Sequence, residues 1–220
     1  MTREGALRVA KPILFNTDMV RAILDRRKTV TRRAVRYKYD NTEMKMRTDK
    51  YGTRLIEIQK DVEGETHGKN PDGSTWQKLR PYTEKNPPYK YNDILYVRET
   101  WARKDGEVYY RADYAPHTCA VWTPLDGHGW KPSIHMPKDA ARIFLRVTDV
   151  RVERLQKITD EQAEKEGCFG YRTEGKFVVS PTLHFMETWD ATIKKGDIDK
   201  YGWKANPWVW VIGFEVMEVG

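Results

Sequence analysis

Short apolar runs and every-second-position patterns recur along the chain and predict a protein built mainly from β-strands. Such stretches occupy residues 11–15, 94–101, 107–112, 142–155 and 207–216. The last is apolar at nearly every position, which is typical of a strand covered on both faces. A sixth strand is predicted at residues 28–33, where Thr29, Thr31 and Arg33 would share one face.

Helical spacing appears in three places between these strands. The first helix follows a cap at Asn16 or Thr17, ends near Arg26 or Arg27, and is predicted to turn inward Met19, Val20, Ile23 and Leu24. Residues 159–162 form a capping box, which starts a second helix that runs to Gly167. The third helix begins at Ser180 and Pro181, and its predicted inward side chains are Leu183, Met186, Trp189 and Ile193.

Two insertions interrupt this pattern, at about residues 40–89 and 103–141. In the first, residues 54–62 alternate as a strand, and a return strand around 75–79 would close a hairpin. In the second, residues 114–138 have little periodicity, and loops of this length are often functional. Because strands outnumber short helices, the chain is predicted to be one α+β domain with a curved sheet or small barrel.

Charge then narrows the choice of partner. The 220 residues carry a net charge of +7, and the sequence pI is about 9.2. Residues 20–39 contain eight Lys or Arg side chains but a single acid, Asp25. This density favours an anionic partner, with a nucleic acid or nucleotide first. The simpler alternative is a solvated basic face that binds nothing.

Other features bear on location and cofactors. No run of about 18 apolar residues exists, so no membrane span or membrane partner is expected, and the N-terminus lacks a signal peptide's apolar region. Two cysteines, Cys119 and Cys168, indicate free thiols and a cytoplasmic protein. The spacing matches no zinc pattern at His117, Cys119, His128 and His135, so no metal or other cofactor is expected.

Four blocks of sequence together resemble the ASCH domain, a small β-barrel of the PUA-like superfamily. They are RRKTVTRR (26–33), NDILYVRETW (92–101), the segment 142–167, and WVWVIGFEV (208–216). The ASCH signature is Gly-x-Lys-x-x-Glu-x-Arg after the first helix. Lys28 and Arg33 fall on its Lys and Arg, whereas Arg26 replaces the Gly and Thr31 replaces the Glu. The resemblance covers about half of the chain and neither insertion.

The Thr at position 31 is similar to one branch of that family, the bacterial amidohydrolases that deacetylate N4-acetylcytidine. A later helix of that branch is also similar to DEQAEKE, residues 160–166. The resemblance therefore implies catalytic roles for Lys28, Thr31 and Glu166. Amide hydrolysis needs an activated nucleophile, and a Lys among arginines could take the proton of Thr31. Glu166 could shuttle a proton, or pair with Lys28 and oppose the lowering of the pKa of Lys28.

A nucleoside or RNA ligand would need further contacts. The residues predicted to bind a substrate or nucleic acid are Arg26, Arg32, Arg33, Trp101, Tyr110, Trp130 and His135. The aromatic members could instead pack the second insertion onto the barrel. The competing function is a non-catalytic reader of RNA or modified bases, and ribonuclease activity is a third possibility that only scattered relatives imply.

Overall fold

The protein is described by a computed structural model that covers residues 1–39, 42–49, 52–59, 67–69, 71–72, 75–77, 82–114, 129–173 and 176–219. Within these residues the α-helices are α1 (Arg3–Val9), α2 (Thr17–Leu24), α3 (Asp160–Lys165), α4 (Pro181–Thr192) and α5 (Ile198–Tyr201). The strands are β1 (Lys11–Leu14), β2 (Val30–Ala34), β3 (Thr42–Asp49), β4 (Gly52–Gln59), β5 (His67–Lys69), β6 (Thr75–Gln77), β7 (Tyr82–Glu84), β8 (Ile94–Arg98), β9 (Trp101–Lys104), β10 (Glu107–Tyr110), β11 (Phe144–Arg154), β12 (Tyr171–Thr173), β13 (Lys176–Val179) and β14 (Trp208–Met217). The α+β class predicted from the sequence is confirmed. Across the described ranges, no helix has the length and apolar character needed to cross a membrane.

Five strands form the central sheet, in the order β1-β8-β11-β14-β2. β1 and β8 run parallel, and every other neighbouring pair is antiparallel. The sheet stays open at β1 and β2, so the described residues form no closed barrel, contrary to the barrel alternative. One side chain links the two open edges, because Nη2 of Arg33 on β2 donates to the backbone oxygen of Leu14 on β1 over 2.7 Å.

The last strand, β14, is covered on both faces, as its apolar sequence predicts. Even-numbered residues 210–214 pack into the main core with α2, β1, β8 and β11. Val209 and Val211 point the other way and pack with Phe185 and Trp189 of α4. α2 and α4 therefore lie on opposite sides of the sheet, close to the open edge strand β2.

Local sequence signals correctly place α2, the first of the three helices that the sequence predicts. Oδ1 of Asn16 accepts from the backbone N–H of Met19 over 2.9 Å, so Asn16 is the cap. Val20 and Ile23 are buried, but Leu24 is 45% exposed and not inward as predicted. Leu24 is the last residue of α2, and the residues before it already supply the side of the helix that packs against the core.

The other predicted helices also form. Thr159 caps α3 through the backbone N–H of Gln162, and Ser180 caps α4 through that of Leu183. The inward assignment of Leu183 is wrong, since its side chain is 40% exposed and Phe185 occupies the buried position instead. α1 was not predicted from the sequence.

The first insertion contains two small sheets rather than the predicted hairpin. β4 pairs with β3 and β7, whereas β6 pairs with β5. The predicted pairing of residues 54–62 with 75–79 is therefore wrong. No sequence signal marked β3 as the partner of β4, because β3 is largely polar, with the sequence TEMKMRTD, and shows no convincing strand pattern.

The second insertion is only partly described. Residues 94–101 are not one strand, because β8 ends at Arg98 and Trp101 begins a hairpin of β9 with β10. His117, Cys119 and His128 lie outside the described residues. Residues 129–141 contain the short 3-10 helices Ser133–His135 and Lys138–Ala140, which pack beside α1 through Met136 and Ala140.

Candidate active site

The predicted motif begins with a tight turn at the C-terminus of α2. The backbone N–H of Arg27 donates to Ala22 O and that of Arg26 to Ile23 O, which is the hydrogen-bond pattern of a Schellman motif. Such a motif needs a left-handed residue, and Arg26 supplies it with φ of 59°. The Arg at the expected Gly position therefore keeps the turn, although a side chain in this conformation costs about 1 kcal/mol.

A second turn of the same kind ends α3 and faces the first. Gly167 has φ of 90°, and Cys168 N–H donates to Ala163 O. A Cβ at Gly167 would lie 2.8 Å from Ala22 Cβ and 3.3 Å from Lys28 Cβ, so only glycine lets the two turns approach so closely. This contact brings Glu166 against Lys28.

Lys28, Glu166 and Arg32 form a buried ionic group. Together with Glu153 and Gln162, they make up what we call the Lys28 cluster. Lys28 Nζ lies 2.6 Å from Glu166 Oε2 and donates to the Glu166 backbone oxygen over 2.8 Å. Arg32 donates to Glu166 Oε1 over 3.1 Å, and to Glu153 and Gln162 over 2.7 Å each. Two cations thus face two carboxylates, which offsets much of the cost of burying them.

The pKa of Lys28 is lowered by its surroundings. Burial lowers the pKa of Lys28 from its ordinary value, while the charge of Glu166 and its hydrogen bond oppose this effect. Arg33 adds a smaller lowering, and the outcome is a lowered pKa. A lysine in this state is a better proton acceptor than one on the surface.

A pocket of about 140 Å³ lies beside the Lys28 cluster, along the open edge of β2. We call it the β2 pocket, and its polar end is formed by Thr31, Arg32, Arg33 and Glu166. α2 forms one wall, and α4 forms the other with His184 and Phe185. Lys28 itself does not line the β2 pocket, because its side chain is fully covered behind Glu166.

Two polar groups at the β2 pocket have no partner among the described residues. Thr31 is 3% exposed, and its hydroxyl makes no hydrogen bond to them. Nε of Arg32 is likewise buried without an acceptor. The Thr31 hydroxyl is therefore free to contact a ligand in the β2 pocket, whereas Nε of Arg32 is enclosed by the protein.

Arg33 differs from the other two cations of the site. Its one hydrogen bond within the described chain goes to Leu14 O, and it has no ion pair there with an acid. Its guanidinium lies 5.3 Å from the centre of the Phe15 ring. Arg33 therefore brings to the wall of the β2 pocket a positive charge that has no direct ion pair among the described residues.

The remaining predicted ligand residues lie elsewhere. Trp101 is buried in a separate apolar cluster beside α1, and the Tyr110 hydroxyl donates to Ala140 O over 2.7 Å. Trp130 packs against Tyr114, and His135 and Arg26 are exposed to solvent. None of these five lines the β2 pocket. The packing alternative for the aromatic residues matches the positions of Trp101, Tyr110 and Trp130.

Sequence reasoning missed several residues of the site. Glu153 and Gln162 join the Lys28 cluster, and His184 and Phe185 form a wall of the β2 pocket. Nδ1 of His184 accepts from the backbone N–H of Phe169 over 3.1 Å, which fixes the ring. Only the capping box pointed to Gln162, and no local signal marks the others, because each reaches the site through tertiary packing.

Cys168 also lines the β2 pocket, but its thiol is poorly reactive. Burial raises the pKa of Cys168 to about 11, and the nearby Glu166 carboxylate adds to this effect.

Among the described residues, no group of three His, Cys, Asp or Glu side chains could hold a metal ion. No protein-family model, curated protein or solved structure matches this chain.

Proposed function

We propose that the chain is an ASCH-type, PUA-like domain that hydrolyses the amide of N4-acylated cytidine in the β2 pocket. The observation that carries this proposal is the meeting of Lys28, Thr31 and Glu166. Glu166 is 138 residues from Lys28 in sequence, yet its carboxylate contacts the amine at the wall that also holds Thr31. These are the residue types and positions that the resemblance implies.

Thr31 is the nucleophile of the proposed reaction. Its Oγ1 attacks the acyl carbon, and its proton passes to the Glu166 carboxylate, which Lys28 and Arg32 hold in position. The C–N bond then breaks, and N4 of cytidine leaves with that proton. Water hydrolyses the acyl ester on Thr31, which releases the carboxylic acid and restores the hydroxyl.

The arginines stabilise charge in this scheme. Arg32 lines the β2 pocket and donates to Glu166 Oε1 over 3.1 Å, so it steadies the negative charge of that carboxylate. Arg33 lacks an acid partner, so its charge is available to a developing oxyanion or to a phosphate. Glu166, by contrast, is held by two cations and therefore has a fixed position.

Turnover of N4-acetylcytidine by purified protein tests the proposal, with Thr31→Val as the decisive variant. Valine keeps the shape of threonine and removes only the hydroxyl, so we expect kcat to fall at least about 100-fold. Thr29→Val is the matched control, since Thr29 is exposed two residues away and does not line the β2 pocket. It should retain both activity and melting temperature.

Equal turnover in Thr31→Val and wild type would exclude Thr31 as the nucleophile. An absence of turnover in folded wild-type protein would exclude the hydrolase itself.

A second function is favoured by Arg33 and by the net charge of +7, namely a non-catalytic reader of RNA or modified bases. A reader that contacts phosphates loses affinity steeply as salt rises, because each contact releases counterions. A hydrolase of free nucleosides shows little salt dependence in KM. Binding that depends on salt, without turnover, would select the reader.

A further inference from the structure

Arg33 is shared by two pockets. It lines the β2 pocket, and it also lines a more open pocket of about 330 Å³. We call the second one the Tyr89 pocket, and its walls are Arg33, Ala34, Asn86, Pro88, Tyr89 and Trp210. Arg33 is thus a wall residue of both pockets.

The Tyr89 pocket is built by the end of the first insertion. Asn86, Pro88 and Tyr89 follow β7, and the hydroxyl of Tyr89 donates to Pro12 O over 2.7 Å, which ties the segment to β1. Two successive prolines restrict the backbone before Tyr89. The floor comes from Trp210 of the central strand β14. A compact domain without the insertion would lack this pocket.

The chemistry of the combined surface is that of a single-stranded nucleic acid. The Tyr89 pocket offers the ring of Tyr89, which suits base stacking, beside the largely buried Trp210, and no carboxylate is among its lining residues. Arg33, which lines both pockets, makes no direct ion pair with an acid of the described chain. In a polynucleotide, a phosphodiester joins two neighbouring nucleosides and carries its negative charge between them, which matches a shared arginine with a pocket for each nucleoside.

We propose that the ligand is a single-stranded polynucleotide, with the modified cytidine in the β2 pocket, a phosphate on Arg33 and the adjacent base in the Tyr89 pocket. This inference rests on the proposed function for the identity of the first base. It assigns to the first insertion the role of extending the site from a nucleoside to a chain. The Tyr89 pocket then reads no particular sequence, because stacking accepts every base.

Equilibrium binding measured by calorimetry tests this inference, with every protein carrying Thr31→Val so that no probe is hydrolysed during the titration. The probes are N4-acetylcytidine, its 3′,5′-bisphosphate, and an RNA trinucleotide with N4-acetylcytidine in the middle. The bisphosphate isolates the contribution of Arg33, and the trinucleotide adds the neighbouring bases. We expect affinity to rise from each probe to the next, with a last step of about tenfold, as expected for one stacked base.

Asn86→Trp fills the Tyr89 pocket from an exposed position and should remove that last step. Met46→Trp is the control, because Met46 is an exposed residue of the same insertion and does not line the pocket. It should keep the ratio of affinities measured with the unaltered insertion.

Equal affinities for bisphosphate and trinucleotide in the protein with the unaltered insertion would overturn the inference, as would an unchanged ratio after Asn86→Trp. Turnover is judged separately: a trinucleotide preference without hydrolysis would reject the proposed reaction but keep the Tyr89 pocket as a base site.

Discussion

Arg26 stands where the ASCH signature, which this sequence only resembles, has Gly, and it still forms the turn. The turn after α2 needs a left-handed residue, and arginine adopts φ of 59° there although glycine is favoured. Its side chain is exposed and lies 3.9 Å from Glu218, a surface contact that contributes little. The backbone hydrogen bonds of the turn therefore hold Arg26 in a strained conformation.

Arg26→Gly should consequently stabilise the protein. Removing the Cβ relieves the left-handed strain, for a gain of up to about 1 kcal/mol in the free energy of unfolding. Arg27→Gly is the control, because Arg27 has no positive φ and should instead lose roughly 0.5–1 kcal/mol through the entropy of the unfolded chain. Urea denaturation measures both, and a loss of stability in Arg26→Gly would contradict the assignment of strain.

At the scale of elements, the first insertion is anchored to the domain by one buried carboxylate. Glu57 of β4 accepts from Lys38 N–H, Tyr39 N–H, the Thr42 hydroxyl and Lys85 Nζ. The apolar side chains Met44 and Leu55 also join the main core. The insertion is therefore part of the domain rather than an appended flap, which is what a base pocket at its end requires.

Glu57 should make stability depend on pH. Burial by itself raises the pKa of Glu57, but hydrogen bonds from Lys85, Thr42 and two backbone N–H groups outweigh it, so the folded pKa is lowered. Its contribution is thus present above the unfolded value of about 4.3 and is lost as pH falls through the folded pKa. Glu57→Gln should cost about 2 kcal/mol at pH 7 and flatten the loss of stability in acid.

Thermal unfolding between pH 7 and pH 3 measures this difference. Glu84→Gln is the control, because Glu84 is a partly exposed carboxylate of the same sheet that pairs with Arg54. It should keep the wild-type slope. A Glu57→Gln profile parallel to the wild type would show that Glu57 does not anchor the insertion through its charge.

Elements with strong local signals were predictable, and those that depend on distant partners were not. α2, α3 and α4 have cap residues and periodic apolar positions, and β11 and β14 are long and apolar. The polar β3 gave no such signal, and pairing β4 with β7 rather than β6 depends on contacts that no local pattern encodes. The predicted inward position of Leu183 was wrong, because helical periodicity alone does not tell which side of a helix meets the sheet.

The candidate site was also predictable only in part, for the same reason. Lys28 and Thr31 lie close in sequence, and the resemblance added Glu166, but the balance of the Lys28 cluster needs Glu153 from β11. Arg32 was expected to bind ligand and instead directs both Nη atoms to Glu166, Glu153 and Gln162, with only Nε left over. The Tyr89 pocket could not be predicted, because it joins an insertion to two central strands.

The net charge of +7 raises a question for the whole molecule, namely whether the proposed affinity for a polynucleotide would come from the overall field or from one contact. Salt dependence separates the two, since each phosphate neutralised by contact adds about 0.7 to the slope of log affinity against log salt for single strands. Arg33→Gln should lower the slope for the trinucleotide by about that amount, because it removes the charge shared by the two pockets.

Arg146→Gln removes the same unit of net charge at an exposed position on β11, where Arg146 lies 3.7 Å from Glu215 and lines neither pocket. If Arg33 contacts a phosphate, Arg146→Gln keeps the wild-type slope while Arg33→Gln loses about 0.7. Equal slopes in the two variants would mean that the overall field attracts the polynucleotide, and that Arg33 serves the nucleoside alone.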